Sequence, residues 1–386
     1  MASFSPVLWS ADPGVPGVPT VGVEEEFLLA DLSTGHLLPI SAHVVEVARD
    51  LGGALELELT RAQVEINTPV CRTMAEVREQ LTFLRSTAAE AASRCGGNLL
   101  AVGTALADDA PGPPITDDPR YHGINNAYGQ LAPENVVCGC HVHVEVPDRE
   151  TAVQVCNHVR PWLPVLLALT ANSPIHHGVD TDYASWRSVI VGRWPCAGAP
   201  PYFESLAHYE SAVDMAVGSG SVLDEKMVYW DIRPSSHLPT VEVRVSDVQS
   251  TVDEAVLFAA LVRALVMTSL KSIQDGVGAP RVSDDALRMA YWRAARDGLD
   301  GMGVDLDTIR PVPAVDLSHR LLRHVEPALT TTNELQAVKT LVDELITNGN
   351  GASRQRRVFR RDHTVTDVVA LVAQRAEHDR SPDNVA

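Results

Sequence analysis

Residues 138–146 read CGCHVHVEV. Side chains along an extended strand point alternately to opposite faces. Cys138, Cys140, Val142, Val144 and Val146 therefore share one face, and Gly139, His141, His143 and Glu145 share the other. Neutral imidazole is a common metal ligand. The row is thus either the polar face of a half-exposed strand or part of a site for a metal or a phosphate. Three further regions show the same habit. In GVEEEF (22–27), Glu24 and Glu26 oppose Val21, Val23 and Phe27; Glu25 falls on the apolar side, which places it at a sheet edge or in an ion pair. Glu56 and Glu58 oppose Leu55, Leu57 and Leu59, and in the run that follows Gln63 and Glu65 oppose Val64 and Ile66. In TVEVRVSD (240–247), Glu242 and Arg244 oppose Val241, Val243 and Val245.

An ordinary solvated sheet face mixes Lys, Thr and Ser with Glu, whereas these faces hold mainly Glu, His and Arg, and no Lys. Carboxylates crowded on one face repel each other, and some are forced to keep a proton. A divalent cation removes that conflict. Many carboxylate oxygens with an occasional imidazole suit Mg²⁺ or Mn²⁺ better than zinc. His141 and His143 stand about 6.5–7 Å apart along a strand, too far for easy sharing of one compact centre, so different roles are expected. Glu145 is expected to be peripheral. Arg187, Arg193, Arg233 and Arg244 lie in or beside these segments. Arginine binds phosphate and carboxylate in bidentate fashion, which together with the acidic faces suggests a nucleoside triphosphate and a carboxylate substrate. Neither a P-loop nor a strand-linked G-x-G-x-x-G is present, so neither nucleotide-binding fingerprint applies.

The elements that must position these residues follow from the pattern. The chain has 386 residues, 45% hydrophobic and 21% charged, enough for a large folded core. A net charge of −19 argues against nucleic acid or an anionic membrane as partner. Six cysteines in this length do not make a disulfide framework. The first twenty residues lack a signal-peptide pattern, and no uninterrupted apolar run reaches the ~18–20 residues of a membrane span. A soluble, cytoplasmic protein is the expectation. Residues 1–19 are expected to form a flexible arm, and 20–386 a single catalytic domain. Strands come first: 20–30, two short runs near 54–67 that form a hairpin or one bent strand, 98–103, and 138–146. Thr73 with Glu76, and Thr251 with Glu254, are capping boxes that open helices. Residues 107–135 read as a long loop and the stretch around 171–203 as irregular, while helices near 284–297, 315–328 and 333–347 make the last third mainly helical. RQRRVFRRD (354–362) is a basic run, read as ion-paired or phosphate-facing. No internal repeat or βα rhythm is visible, so the fold class is α+β with a largely antiparallel sheet.

GVEEEF (22–27), VEINTPV (64–70), CGCHVHVEVP (138–147), RSVIVGRWP (187–195), WDIRPSSHLPTVEVRVSD (230–247) and, more loosely, NGASRQR within 348–356 occur in this order from end to end. Together they resemble the carboxylate–amine ligases of the glutamate–cysteine ligase type 2 family, within the glutamine synthetase-like superfamily. The resemblance implies a curved antiparallel sheet forming an open funnel, with helices outside and the site inside. It implies that ATP activates a γ-carboxylate as an acyl phosphate, which an amine then attacks. Glu24, His141 and Glu242 would hold the metal near the ATP phosphates. Glu26, Glu65 and Glu58 would hold the other, with Glu56 as the alternative to Glu58. Arg233 and Arg244 would be catalytic, and His143, Arg187 and Arg193 would bind ATP or substrate. ATP and Mg²⁺ or Mn²⁺ are the expected cosubstrate and cofactor. Expected partners are a small-molecule acid and amine, with no nucleic acid or membrane; a homodimer stays open. The rival readings are a metal-dependent hydrolase and a non-catalytic nucleotide- or amino-acid-binding relative. The acceptor amine and the general base are not identified by the residues.

Overall fold

The computed structural model describes Trp9, residues 17–362 and residues 364–378. Most of the expected N-terminal arm therefore lies outside the described residues; Trp9 is buried against the core.

The first half of the chain supplies most of the sheet. Strand β1 (Val21–Ala30) alternates buried and half-buried residues before becoming fully buried. Helix α1 (Ser41–Asp50) follows, then β2 (Leu55–Leu57) and β3 (Gln63–Asn67), which pair antiparallel as a hairpin. Helix α2 (Met74–Arg94) is capped by Thr73, whose hydroxyl accepts from Glu76 N, and the Glu76 carboxylate accepts from Arg72 N at 2.6 Å. Strand β4 (Asn98–Leu100) comes next. The region expected as a long loop contains a helix, α3 (Pro119–Tyr128), with Asp118 as N-cap and proline in the first turn. Only Ile124 of α3 is buried, so the apolar periodicity that reveals a helix is missing there. Strand β5 is Gly139–Glu145.

After β5 come α4 (Arg149–Val159) and α5 (Leu163–Thr170), separated by a 3₁₀ turn at Arg160–Trp162. The irregular stretch proves to hold a small hairpin, β6 (Ile175–His176) with β7 (Val179–Asp180), and the short helix α6 (Trp186–Val191); α7 (Leu206–Gly218) follows. Strands β8 (Ile232–Pro234) and β9 (Thr240–Asp247) complete the main sheet. Helices α8 (Val252–Gln274) and α9 (Asp284–Asp297), the hairpin β10 (Met302–Asp305) with β11 (Arg310–Pro313), and α10 (Ala314–Thr331), α11 (Leu335–Asn348), α12 (Gly351–Asp362) and α13 (Val365–His378) form the helical last third.

The sheet order is β2-β3-β1-β5-β9-β8, with β4 pairing the C-terminal half of β1, and all pairs are antiparallel. Register brings the polar residues into rows. Glu24 faces His141, Glu26 faces Glu65, and Glu242 lies between His143 and Arg233. Directly opposed residues sit roughly 5 Å apart, so residues from β1, β3, β5, β8 and β9 converge on one face. The other face carries Val23, Phe27, Val142, Val144 and Val243 into the core. α8 packs against β1 and β5 and against α2, α4, α10 and α11. It is long and apolar enough to cross a bilayer by length and composition alone, yet most of it is buried inside the fold. Its Arg263 is also buried, paired with Glu334. It is a core helix.

Glu25 resolves in favour of the ion pair. β1 has neighbours on both sides, and Arg85 from α2 donates to both Glu25 carboxylate oxygens, at 2.8 and 2.5 Å. The basic run becomes α12, where Arg354 pairs with Glu254, and Arg356 and Arg360 with Asp180. Thr251 caps α8 through Glu254 N, as the capping box predicts, while the Glu254 carboxylate pairs with Arg354.

Candidate active site

A cavity of about 320 Å³ lies over the polar face of the sheet. Its wall includes Glu24, Glu26, Glu58, Glu65, His141, Arg187, Arg233 and Arg244. On this face two clusters separate, each of three groups whose candidate ligand atoms lie within 4.8 Å of one another: Glu24 with His143 and Glu242, of which Glu24 lines the cavity, and Glu26 with Glu58 and Glu65, all three in its wall. Alternation along β1 explains the split, since Glu24 and Glu26 share a face but stand two residues apart.

In the first cluster the negative charge is already balanced. Arg233 Nε donates to Glu242 Oε2 at 2.8 Å, and Arg244 pairs with the other oxygen of Glu242. Arg233 is braced by its Nη1, which donates to the carbonyls of Lys226 (3.0 Å) and Val228 (2.7 Å). Burial alone would raise the Glu242 carboxyl, but Arg244 and Arg233 outweigh it and hold the group well below the usual carboxylate range. Glu24 behaves alike: burial opposes ionisation, and the neighbouring His141 and His143 overcome it. Glu24 Oε2 lies 3.3 Å from His141 Nδ1, and Glu24 Oε1 lies 3.1 Å from His143 Nε2. His143 Nδ1 is held by the Thr240 hydroxyl at 2.9 Å. His143 Nε2 is buried, at ion-pair distance from Glu24 but without hydrogen-bond geometry to it.

The second cluster has no such balance. Gly139 N donates to Glu26 Oε2 at 2.6 Å, Asn67 Nδ2 to Glu65 Oε1 at 2.9 Å, and Leu59 N to Glu58 Oε2 at 3.0 Å. These neutral donors do not cancel three carboxylates. Burial, joined by the charge of Glu26, pushes the Glu58 carboxyl up to about 7. Burial and the charge of Glu58 raise Glu65 well above its ordinary value. A half-buried carboxylate trio, two of whose members have raised proton affinity, is the donor set a hard divalent cation would relieve.

The structure divides the expected site residues as follows. Glu24, Glu242, Glu26, Glu58 and Glu65 fall into the two clusters. Glu58 rather than Glu56 enters the second, because β2 ends at Leu57 and the chain turns there, leaving Glu56 exposed. His143, not His141, completes the first cluster. The reason is register: His143 is directly opposite Glu242, and a β-bulge between Cys140 and Val142 then shifts the β5–β9 pairing. His141 instead lies 3.3 Å from Arg244 Nη1, and burial followed by that arginine's charge lowers its pKa. Arg187 lines the cavity, whereas Arg193 points away to Glu134 at 2.6 Å. Glu145 is exposed and accepts from Thr20.

Other wall residues escaped the sequence reading. Tyr121, Ile124 and Asn135 come from the α3 region, which is pinned down by the Arg120–Asp224 pair, by Tyr128 OH donating to Ser221 O, and by Trp194 Nε1 donating to Asn135 Oδ1. Tyr229 and Asp231 also line the cavity. They share their parity with Arg233 in YWDIRP, and that alternation was the available clue. Burial pushes the Asp231 carboxyl up to about 6, against the opposing charges of Arg187 and Arg244.

Comparison with known proteins bears on this geometry. Residues 20–379 match the family described as Glutamate-cysteine ligase family 2. The protein named "Putative glutamate--cysteine ligase 2-2" from Mycobacterium sp. (strain KMS) is 52% identical over 358 residues, covering 92% of this chain and 98% of that one. A "Putative glutamate--cysteine ligase 2-1" from Nocardia farcinica is 52% identical over 353 residues, 91% and 92% of the two chains. Among solved structures, a glutamate–cysteine ligase from Francisella tularensis in complex with AMP superposes with a TM-score of 0.69 at 14% identity, covering 95% of this chain and 90% of that one. A bifunctional glutathione synthetase from Pasteurella multocida gives 0.67 at 12% identity, covering 95% and 53%. At these identities the two structures speak to the fold alone.

Proposed function

The chain belongs to glutamate–cysteine ligase family 2, and we propose that it joins the γ-carboxylate of glutamate to the amine of cysteine or a related compound. It is an ATP-dependent carboxylate–amine ligase, an enzyme that forms C–N bonds. In the proposed reaction a carboxylate oxygen attacks the γ-phosphorus of ATP and ADP departs. The amine nitrogen then attacks the acyl phosphate carbon, phosphate leaves, and the amine gives up a proton.

One observation carries the reading: β1 delivers Glu24 and Glu26 to one cavity wall, each as a member of a separate ligand cluster, with Arg233 and Arg244 in the same wall beside the first. The residues fit a divalent cation, on the buried His143 Nε2 and on the uncompensated Glu26, Glu58 and Glu65. Glu24, His143 and Glu242 would hold one Mg²⁺ or Mn²⁺ and Glu26, Glu58 and Glu65 another. When bound, such ions neutralise phosphate charge. The chain's own contribution is positional. Arg233, fixed by two carbonyls and Glu242, presents a guanidinium that cannot drift, and Arg244 is fixed by Glu242 and packs over the Tyr229 ring at 6.0 Å. Preorganised cations stabilise charge that develops during phosphoryl transfer without reorganising as it does so. The all-antiparallel main sheet does not match the βα-barrel form of the hydrolase alternative, and the family match favours a ligase. The test is phosphate release from Mg-ATP with glutamate and a panel of amines including cysteine, with mass spectrometry of the product. An amide formed only with ATP supports the proposal; equal yield without ATP, or no turnover with any pair, defeats it.

A further inference from the structure

Arg187 is a buried cation in the cavity wall, and its Nε has no hydrogen-bond partner among the described residues. Its guanidinium lies directly over Gly139, where a Cβ would collide with it, and Nη2 reaches the carbonyl of Arg244 at 3.4 Å, at the point where the bulge disturbs the β5–β9 ladder. Its backbone is held from another side. Arg187 N donates to Ser173 Oγ at 3.0 Å, and Ser185, the N-cap of α6, accepts from Ser188 N at 3.2 Å. Both serine hydroxyls then donate to one carboxylate, Asp247: Ser173 to Oδ2 at 2.7 Å and Ser185 to Oδ1 at 2.8 Å. Asp247 is fully buried, and among neighbouring charges Arg187 most strongly opposes the cost of burying it.

The frame extends one layer further. Asn172 N also donates to Asp247 Oδ2, at 2.7 Å. Asn172 is gripped in turn by Gln355 Nε2, which donates to its carbonyl at 3.0 Å and to its Oδ1 at 2.7 Å. Gln355 belongs to NGASRQR, the conspicuous segment that contributes nothing to the cavity wall.

We propose that Asp247 is a positioning residue that acts through Ser173 and Ser185 to hold Arg187 against the cavity, with Gln355 and Asn172 bracing it from behind. The proposal deepens the ligase reading. It places on one strand, β9, the ligand Glu242, the cation Arg244 and the anchor of a third cation. Hydroxyls that accept from the α6 backbone while donating to a buried carboxylate have both hydrogen-bonding roles fixed. Asp247→Asn therefore cannot substitute silently, because it places an amide donor among three donors.

Two readouts test this. The first is kinetic: Ser173→Ala, Asp247→Asn and Arg187→Ala, and each of the first two combined with Arg187→Ala. Each single variant is expected to lower kcat about tenfold or more with smaller changes in KM. The combined variants are expected to be no slower than Arg187→Ala alone, since one function is lost once. Losses that multiply would show that Asp247 supports the fold generally and would overturn the proposal. The second readout needs no turnover. The Nε–H resonance of Arg187, assigned by its loss in Arg187→Lys, is expected to be slowly exchanging in the wild type and to exchange at least about tenfold faster in Ser173→Ala. Should Asp247→Asn fail to fold, Ser173→Ala carries both measurements. An unchanged resonance in Ser173→Ala overturns the positioning role, while failure of the wild type to turn over any acid–amine pair overturns the ligase reading alone.

Discussion

Glu24 and Glu26 are separated by one residue on the same strand, yet they belong to opposite electrostatic worlds. Glu24 joins Glu242 and His143, where Arg233, Arg244 and two imidazoles hold the carboxylates ionised. Glu26 joins Glu58 and Glu65, where the hydrogen bonds come from backbone and amide donors and the carboxyls of Glu58 and Glu65 retain protons toward neutrality. The carboxylate charge of the first cluster is offset by the protein's own arginines, whether or not a cation joins it. The second is left short of positive charge, and a cation must come from outside. The glutamates gathered around Glu24 and those gathered around Glu26 thus differ in surroundings because of what β9 and β8 bring to the first cluster and not to the second.

The largest effect that would break this comparison comes from Glu242. Glu242→Ala leaves two partly buried guanidiniums without their carboxylate. Removing one member of a buried pair costs about 3–5 kcal/mol, and misplacing two preorganised cations is expected to lower kcat by about 100- to 1000-fold. Denaturant unfolding and phosphate release measure the two losses. An unchanged unfolding midpoint would mean the first cluster is not built on that pair.

Next come the histidines. His143→Ala removes a member of the first cluster and should raise the Mn²⁺ concentration needed for half-maximal activity by about tenfold or more. His141→Ala should leave that requirement near wild type and act on kcat instead. A metal titration at saturating ATP separates them, and the reverse order would return the ligand role to His141.

The pH response of metal-free protein sharpens the contrast. Glu58 titrates at about 7 when folded, against an ordinary value of 4.5. Between those values the folded state binds the proton more tightly than the unfolded chain, so stability falls as pH rises through this window. Glu24 and Glu242, held low, act in the opposite sense: their stabilisation is present above the ordinary range and is lost as pH falls below it. Thermal melts from pH 4.5 to 7.5 should show the downward contribution of Glu58 as the difference between wild type and Glu58→Gln, and saturating Mg²⁺ should abolish that difference.

Smallest of all should be Arg193→Ala. Its pair with Glu134 is partly exposed, and such pairs are worth about 0–1 kcal/mol. Near-wild-type kcat and KM are expected; a loss comparable to that of Arg233→Ala would bring Arg193 back into the cavity chemistry.

Much of this site was legible from alternation alone. Period-two patterning identified every carboxylate now in a cluster, since each belongs to a strand or its immediate continuation with one face committed to the core. It could not tell Glu56 from Glu58, because that depends on where β2 stops, nor His143 from His141, because that depends on a bulge in pairing with a strand about a hundred residues away. α3 was hidden for another reason: it is held by Arg120, Tyr128 and neighbouring side-chain contacts rather than by an apolar stripe. Asp247 offered no clue in sequence, because its partners Asn172, Ser173 and Ser185 are assembled only by the fold.

The claim that the Glu26 cluster awaits a cation is tested most directly by counting protons. Mn²⁺ is titrated calorimetrically at pH 6.5 into wild type and Glu58→Gln, in two buffers of different ionisation enthalpy. Because Glu58 is largely protonated at that pH, wild-type protein should release about one proton on binding metal, and the variant markedly less. Binding without proton release, or equal release from both proteins, would contradict the account.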